Sequence, residues 1–201
     1  MSAAADYQWD VYRAAAAYLA ARAGARFADV GCGYPRKVVD LIEPVTRDIT
    51  LFDQPSMAPL MQRDFARFRF VPVHFEAPPD VRHGPFDCIV CADVIEHLLH
   101  PDPRLDFLKR ELAAGGRLFL STPERDALRG RNCLSSPHAE HVREWNFSEF
   151  ADYLRSRGLG VLEHMRLPTK RLNAVDAIVP RPLRRLWPRR YGACQLAVCK
   201  V

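Results

Sequence analysis

Two groups of residues in this chain have the types and spacing to do chemistry. The first is Asp29-Val30-Gly31-Cys32-Gly33, followed by Asp53 at the end of the apolar stretch Ile49-Thr50-Leu51-Phe52. Glycines let a strand turn sharply into a helix with its backbone close to a ligand, and an acidic residue ending the next strand accepts hydrogen bonds from ribose hydroxyls. The pattern therefore points to a ligand with a nucleoside part. A dinucleotide fingerprint needs a third glycine where this chain has Arg36, which favours a ligand without a pyrophosphate. The second group is Asp93, Glu96 and His97, spaced to occupy neighbouring positions of one helical turn, with His141 further along in the segment from Pro137 to Trp145. Two carboxylates and two imidazoles suit a divalent ion such as Mg²⁺ or Mn²⁺, which would orient a hydroxyl and lower its pKa. Without a metal, His97 or His141 has the chemistry of a general base. The same Glu-His pair can also serve packing and loop hydrogen bonds alone.

Short β-rich runs alternate with helical segments, which is the pattern of an α/β fold with a mostly parallel sheet and helices on both faces. An alanine-rich helix is expected from Tyr7 to Ala23, closed by Gly24. The first strand runs to Val30, a short helix covers Lys37 to Ile42, the second strand ends at Asp53, and a helix follows from Met57 to Arg67. The third strand, Phe70 to His74, contains Pro72 and so suits a sheet edge. The fourth, Phe86 to Cys91, is apolar after Asp87 and reads as central. A helix from Pro103 to Ala113 should end at Gly115-Gly116, before the strand Arg117 to Ser121. Residues 123–146 read as a long polar loop, and loops of that length inside a domain are usually binding loops or lids. A helix capped by Ser148 runs to Arg157, with strands near Val161 and from Cys194 to Val198 closing the pattern.

The 201 residues, 48% of them hydrophobic, fit one domain with a substantial core. No apolar stretch approaches the roughly 20 residues of a membrane-spanning helix. The N-terminus carries Asp6 and Asp10 and lacks the pattern of a signal peptide. Five of the six cysteines lie in apolar stretches, which favours a reducing, cytoplasmic setting. Cys88 and Cys91 have CxxC spacing but sit inside a strand with no second pair nearby. The net charge is +5, and the segment 167–190 is strongly basic, with Arg181, Arg184, Arg185, Arg189 and Arg190 close together. That run reads either as a solvated loop or as a phosphate contact on a nucleotide sugar, an RNA or a lipid surface. Arg125, Arg129, Arg131 and Arg143, in or beside the polar loop, point to an acceptor bearing phosphate or carboxylate.

The Asp29-to-Gly33 turn, the run Cys91-Ala92-Asp93-Val94-Ile95-Glu96-His97-Leu98 and Ser121-Thr122-Pro123 resemble the class I S-adenosylmethionine-dependent methyltransferases, especially the ubiquinone-biosynthesis O-methyltransferases. The last glycine of the family's first motif is replaced here by Pro35. The resemblance implies a Rossmann-like seven-stranded sheet with S-adenosylmethionine at the carboxyl ends of its first half. It places Asp29, Gly31 and Gly33 at the methionine and ribose, Asp53 at the ribose diol, and Ala92 beside the methionine. His74 and Phe75 stand where the family meets adenine. Asp93, Glu96, His97 and His141 are also similar in spacing to the metal-binding motif of small-RNA 3′-terminal ribose methyltransferases, with Asp93 in place of that motif's first glutamate. The resemblance implies an O-methyltransferase acting on a sugar, glycan or related anionic small molecule. RNA ribose methylation is the alternative within the enzyme class, and a non-catalytic regulatory protein the alternative outside it.

Overall fold

The computed structural model describes residues 6–133, 135–168, 176, 178–184 and 186–201. Part of the basic segment therefore lies outside the described residues, Arg185 included. A single seven-stranded sheet organises the chain, in the order β3-β2-β1-β4-β5-β7-β6. Its strands are β1 (Phe27–Val30), β2 (Ile49–Asp53), β3 (Arg69–Pro72), β4 (Phe86–Ala92), β5 (Leu112–Pro123), β6 (Gly160–Leu167) and β7 (Cys194–Lys200). Pairing is parallel from β3 through β5, and β7 runs antiparallel between β5 and β6.

Sequence pattern accounts for the strand order. β4 is apolar and buried between β1 and β5, while β3 carries Pro72 at the sheet edge, where a missing N–H breaks no central ladder. The helices are α1 (Asp6–Ala20), α2 (Ala58–Asp64), α3 (Pro101–Glu111), α4 (Arg125–Arg129), α5 (Phe147–Ser156), α6 (Arg181–Arg184) and α7 (Pro188–Tyr191). Val11, Tyr12, Ala15 and Leu19 of α1 fall on one helical face, and all four are buried against one side of the sheet. α3 and α5 bury Leu105, Leu108, Phe150 and Leu154 on the other side. Cys88 and Cys91 belong to these opposite apolar layers, so the CxxC spacing builds no metal or redox pair. Among the described residues no helix is long and apolar enough to cross a membrane.

Several boundaries differ from the sequence expectation. The helix expected over Lys37 to Ile42 is a single π-helical turn, Val38–Ile42. α3 spans Pro101–Glu111 rather than Pro103 to Ala113, because Glu111 is buried and accepts hydrogen bonds from the His83 and Gly84 amides, while Leu112 already pairs with Phe86 in β5. α5 is capped by Asn146 instead of Ser148. Asn146 accepts from the Glu149 amide at 2.9 Å, and Glu149 returns the bond to the Asn146 amide at 3.1 Å.

The segment 123–146 differs most from the expected open loop. β5 continues to Pro123, and the buried Glu124 then caps α4 by accepting from the Ala127 amide at 2.7 Å. Trp145 bridges back to Glu124, and its carbonyl accepts from the Gln195 side chain.

Candidate functional site

The turn after β1 has the geometry its glycines predict. Gly31 has φ +86°, and a Cβ there would collide with Val94 Cγ2. Gly33 has φ +51°, and nothing lies within 4 Å of where its Cβ would stand. One position thus needs glycine for close packing and the other leaves backbone open to a ligand. Asp53, at the end of β2, accepts from the Gly33 amide at 2.6 Å and from the Gln54 amide at 2.7 Å. Each carboxylate oxygen keeps a lone pair beyond those bonds, so the brace and a ribose contact are compatible.

Asp29 is fully buried. It accepts from the Tyr12 hydroxyl at 2.7 Å through Oδ2, while Oδ1 has no partner. Burial pushes its pKa up from 3.8 to about 7, against the opposing pull of the Tyr12 bond and of Lys37. The acidic group that opens the turn is therefore held by the N-terminal helix. The open Gly33 and the braced Asp53 fit a ligand with ribose hydroxyls, as S-adenosylmethionine has. Ala92 ends β4 beside this turn, opposite Ser121 of β5. His74 and Phe75 follow β3, next to the Asp53 end of β2. His74 is exposed, and its carbonyl accepts from Arg104, whose guanidinium lies 4.8 Å from the Phe75 ring centre.

The second group assembles only in part. Glu96, His97 and His141 each offer a ligand atom, and these atoms lie within 4.8 Å of one another. Asp93 stands apart, because β4 ends in a left-handed turn with φ +55° at this residue and the helical turn begins only at Ile95. Its carboxylate accepts from Gln8 Nε2 of α1 at 2.6 Å and from Ser121 Oγ at 3.0 Å. The assumed helical spacing from residue 93 is thereby replaced by a corner, which turns Asp93 towards α1 and leaves three residues in the cluster.

Glu96 is fully buried. Oε2 accepts from Thr122 Oγ1 at 3.2 Å, and Oε1 has no partner. Burial, reinforced by Asp93, pushes its pKa well above the usual carboxylate range. His97 Nδ1 donates to the Glu140 carbonyl at 2.9 Å, since a carbonyl can only accept, and this leaves Nε2 as the nitrogen without a partner among the described residues. His141 Nδ1 lies 2.7 Å from Glu144 Oε1. Burial, with His138 and His97 nearby, lowers the His141 pKa despite that bond. Burial raises the Glu144 carboxylate, but hydrogen bonds from Arg129, His141 and Ser136 overcome it and hold its pKa low. Glu144 is thus an anion neutralised chiefly by Arg129, while His141 stays neutral with its Nε2 lone pair available. A carboxylate that fixes tautomer and ring orientation is the usual support of a working imidazole. Glu144 stands three residues after His141, a spacing visible in the sequence but not singled out there. Tyr12 and Gln8 were also missed, because nothing in an alanine-rich helix announces that its polar side chains reach two distant strand ends.

The arginines divide. Arg125 pairs with Glu149 and Arg129 with Glu144, so both serve structure, whereas Arg131 has no hydrogen-bond or ion-pair partner among the described residues and Arg143 packs near the Trp145 ring.

Comparison with known proteins agrees with this geometry. No curated protein matches the chain. A methyltransferase from Mesorhizobium loti described as S-adenosylmethionine-dependent superposes with a TM-score of 0.68 at 13% identity, over 97% of this chain and 98% of its own. A chain from the complex of the Haloferax volcanii Trm112 activator with a methyltransferase gives 0.68 at 16% identity, covering 95% and 90%. The Burkholderia thailandensis 1,6-didemethyltoxoflavin N1-methyltransferase, solved with its substrate and S-adenosylhomocysteine, gives 0.57 at 25% identity, covering 94% and 77%. The family model described as a methyltransferase domain matches residues 4–164, which takes in the glycine turn, Asp53 and the whole Glu96, His97 and His141 cluster. With its sheet order and glycine turn, this chain belongs to that methyltransferase-domain family and is an S-adenosylmethionine-dependent methyltransferase.

Proposed function

We propose that the enzyme methylates a hydroxyl group of an anionic sugar, glycan or related small polar molecule, with Glu96, His97 and His141 gathered around the reacting oxygen. The observation that carries this reading is the buried Glu96, with Oε1 unpartnered, beside two imidazoles whose Nδ1 atoms are both engaged and whose Nε2 atoms are open. S-adenosylmethionine supplies an electrophilic methyl group on its sulfonium. Gly31 and Gly33 let the backbone approach that cofactor, Asp53 holds the ribose diol, and Ala92 flanks the methionine part. His74 and Phe75 border the adenine.

An alcohol is a weak nucleophile until it loses its proton. His141 Nε2 accepts that proton, and the Glu144 carboxylate stabilises the imidazolium that results. His97 presents a second imidazole to the same space. Alternatively, Glu96, His97 and His141 would hold a divalent ion such as Mg²⁺ or Mn²⁺; the two Nε2 atoms would then be ligands in place of bases, and the ion would supply a lowered pKa to a bound hydroxyl. Mixed oxygen and nitrogen donors suit such ions better than a closed structural zinc site, which favours cysteine.

The test is methyl transfer from labelled S-adenosylmethionine to a panel of sugar phosphates, nucleotide sugars, glycans, catechols and short RNAs. Transfer to an anionic sugar is expected, lost with EDTA and restored by Mn²⁺ or Mg²⁺. His141→Ala should lower turnover by roughly 10²- to 10⁴-fold, the range of general-base catalysis, with S-adenosylhomocysteine affinity unchanged. Full activity of metal-free protein in EDTA would remove the ion and leave the imidazoles as bases. Methylation of RNA ends alone would overturn the small-molecule acceptor.

A further inference from the structure

A cavity of about 440 Å³ opens beyond the end of β5, where α4, β6 and α7 converge. Arg131, Arg166, Arg184 and Tyr191 line it together with Glu124 and Asp126. The acidic groups are already engaged: Glu124 accepts from the Ala127 and Phe147 amides, and Asp126 faces Arg125 at 3.4 Å. The Arg166 and Arg184 guanidiniums are held in place but not saturated. Arg166 lies over the Phe147 ring at 4.2 Å and crosses Gly192, where a Cβ would stand 2.8 Å from its Cδ. Its one ion pair among the described residues, to Glu124, is long at 3.6 Å. Arg184 is pinned by the Val179 and Asp176 carbonyls through Nε and Nη2, and its Nη1 has no partner among the described residues. Arg131 is exposed and bonded to nothing among them.

Two positioned guanidiniums, Arg166 and Arg184, and the unengaged Arg131 around a cavity of ligand size offer spare donors in the flat, forked geometry that grips phosphate oxygens. The cavity is also placed to serve the reaction. Thr122, which bonds Glu96 near the end of β5, stands two residues before Glu124, which lines the cavity, so the two lie about 7 Å apart along the chain. We infer that this cleft binds a phosphate group of the methyl acceptor, so that a phosphorylated substrate spans from Arg131, Arg166 and Arg184 to the hydroxyl site at Glu96, His97 and His141. The inference rests on the proposed acceptor class and specifies where its charge is held.

Calorimetric titration with inorganic pyrophosphate, alongside S-adenosylhomocysteine, tests it. Pyrophosphate should bind the wild type, and a variant carrying Arg131→Gln and Arg166→Gln should bind it at least ~10-fold more weakly, with S-adenosylhomocysteine affinity unchanged. Arg131→Gln alone, at an exposed position, keeps the fold and should weaken pyrophosphate in the same direction. Arg143→Gln removes the same charge outside the cleft and should leave pyrophosphate binding as it was. Failure of pyrophosphate to bind, equal binding by the cleft variants, or equal weakening by Arg143→Gln overturns the inference. Failure of S-adenosylhomocysteine to bind the wild type would instead strike the methyltransferase reading. Sedimentation with vesicles of phosphatidylcholine and phosphatidylglycerol identifies the source of the phosphate. Vesicle binding competed by pyrophosphate assigns it to a lipid headgroup, and pyrophosphate binding without vesicle binding assigns it to a soluble phosphate ester. Vesicle binding that pyrophosphate does not displace also counts against the cleft.

Discussion

The Asp53 carboxylate braces the Gly33 and Gln54 amides, and the proposed function adds a ribose diol to the same group. Removing hydrogen bonds to a charged acceptor costs about 1.5–3 kcal/mol, and each 1.4 kcal/mol is a factor of ten. Asp53→Ala should therefore weaken S-adenosylhomocysteine by roughly 10- to 100-fold in a calorimetric titration. Unchanged affinity would remove Asp53 from the ribose role and leave it as a turn brace alone. Its place at the end of the second strand, behind the glycine turn, was legible from the sequence, because apolar runs and glycines mark both elements. Asp93 was not. Its assignment to the metal cluster assumed a helix that would have begun two residues earlier than the one found, and a single left-handed residue redirected the side chain.

At the scale of elements, the segment after β5 decides how the site opens. It was expected to be a mobile cover, yet much of it is tied down. α4 is capped by Glu124, and the Val142 and Arg143 amides both donate to the Glu96 carbonyl. Trp145 is buried. Between these anchors lie turns carrying His138, stacked on His141 at 4.1 Å. Hydrogen exchange should accordingly be slow at residues 125–129 and 142–145 without ligand. Residues 136–141 should exchange fast alone and slow down when cofactor and acceptor are added together. Uniformly slow exchange across 136–141 in the free protein would mean that His141 is fixed before the acceptor arrives. Sequence polarity revealed that this segment is special, but not its anchors, since capping by Glu124 and the Glu96 contacts join residues far apart in the chain.

The whole molecule carries a pH dependence set by burial of Asp29 beneath α1. With its folded pKa near 7 against an ordinary 3.8, this carboxyl holds its proton in the folded chain after it has lost it in the unfolded one. The folded state then binds more protons between about pH 4 and 7, so the group's contribution to stability falls as pH rises through that window and stays lost above it. One pKa unit corresponds to about 1.36 kcal/mol, which bounds the effect at roughly 4 kcal/mol. Asp29→Asn keeps an acceptor for the Tyr12 hydroxyl and removes the buried charge. The variant should gain Tm relative to wild type at pH 8, with little gain at pH 5, as read by thermal unfolding in the absence of cofactor. A difference independent of pH would mean that Asp29 is ionised throughout, with its charge met by Lys37.

By itself the sequence determined the fold class, the glycine turn with Asp53 behind it, the edge position of β3 and the central position of β4, because each follows from local rules about glycine, proline and apolar periodicity. It also brought Glu96, His97 and His141 forward as candidates by residue type and spacing. Tertiary structure decided which of those candidates meet. It turned Asp93 to Gln8 and Ser121, gave Arg125 to the exposed Glu149 and Arg129 to the buried Glu144, supplied Glu144 as the partner of His141, and left Arg131 open beside Arg166 and Arg184. The physical reason is that hydrogen-bond and ion-pair partners are chosen by proximity across the fold, which strand order and backbone corners create and which no window of neighbouring residues records.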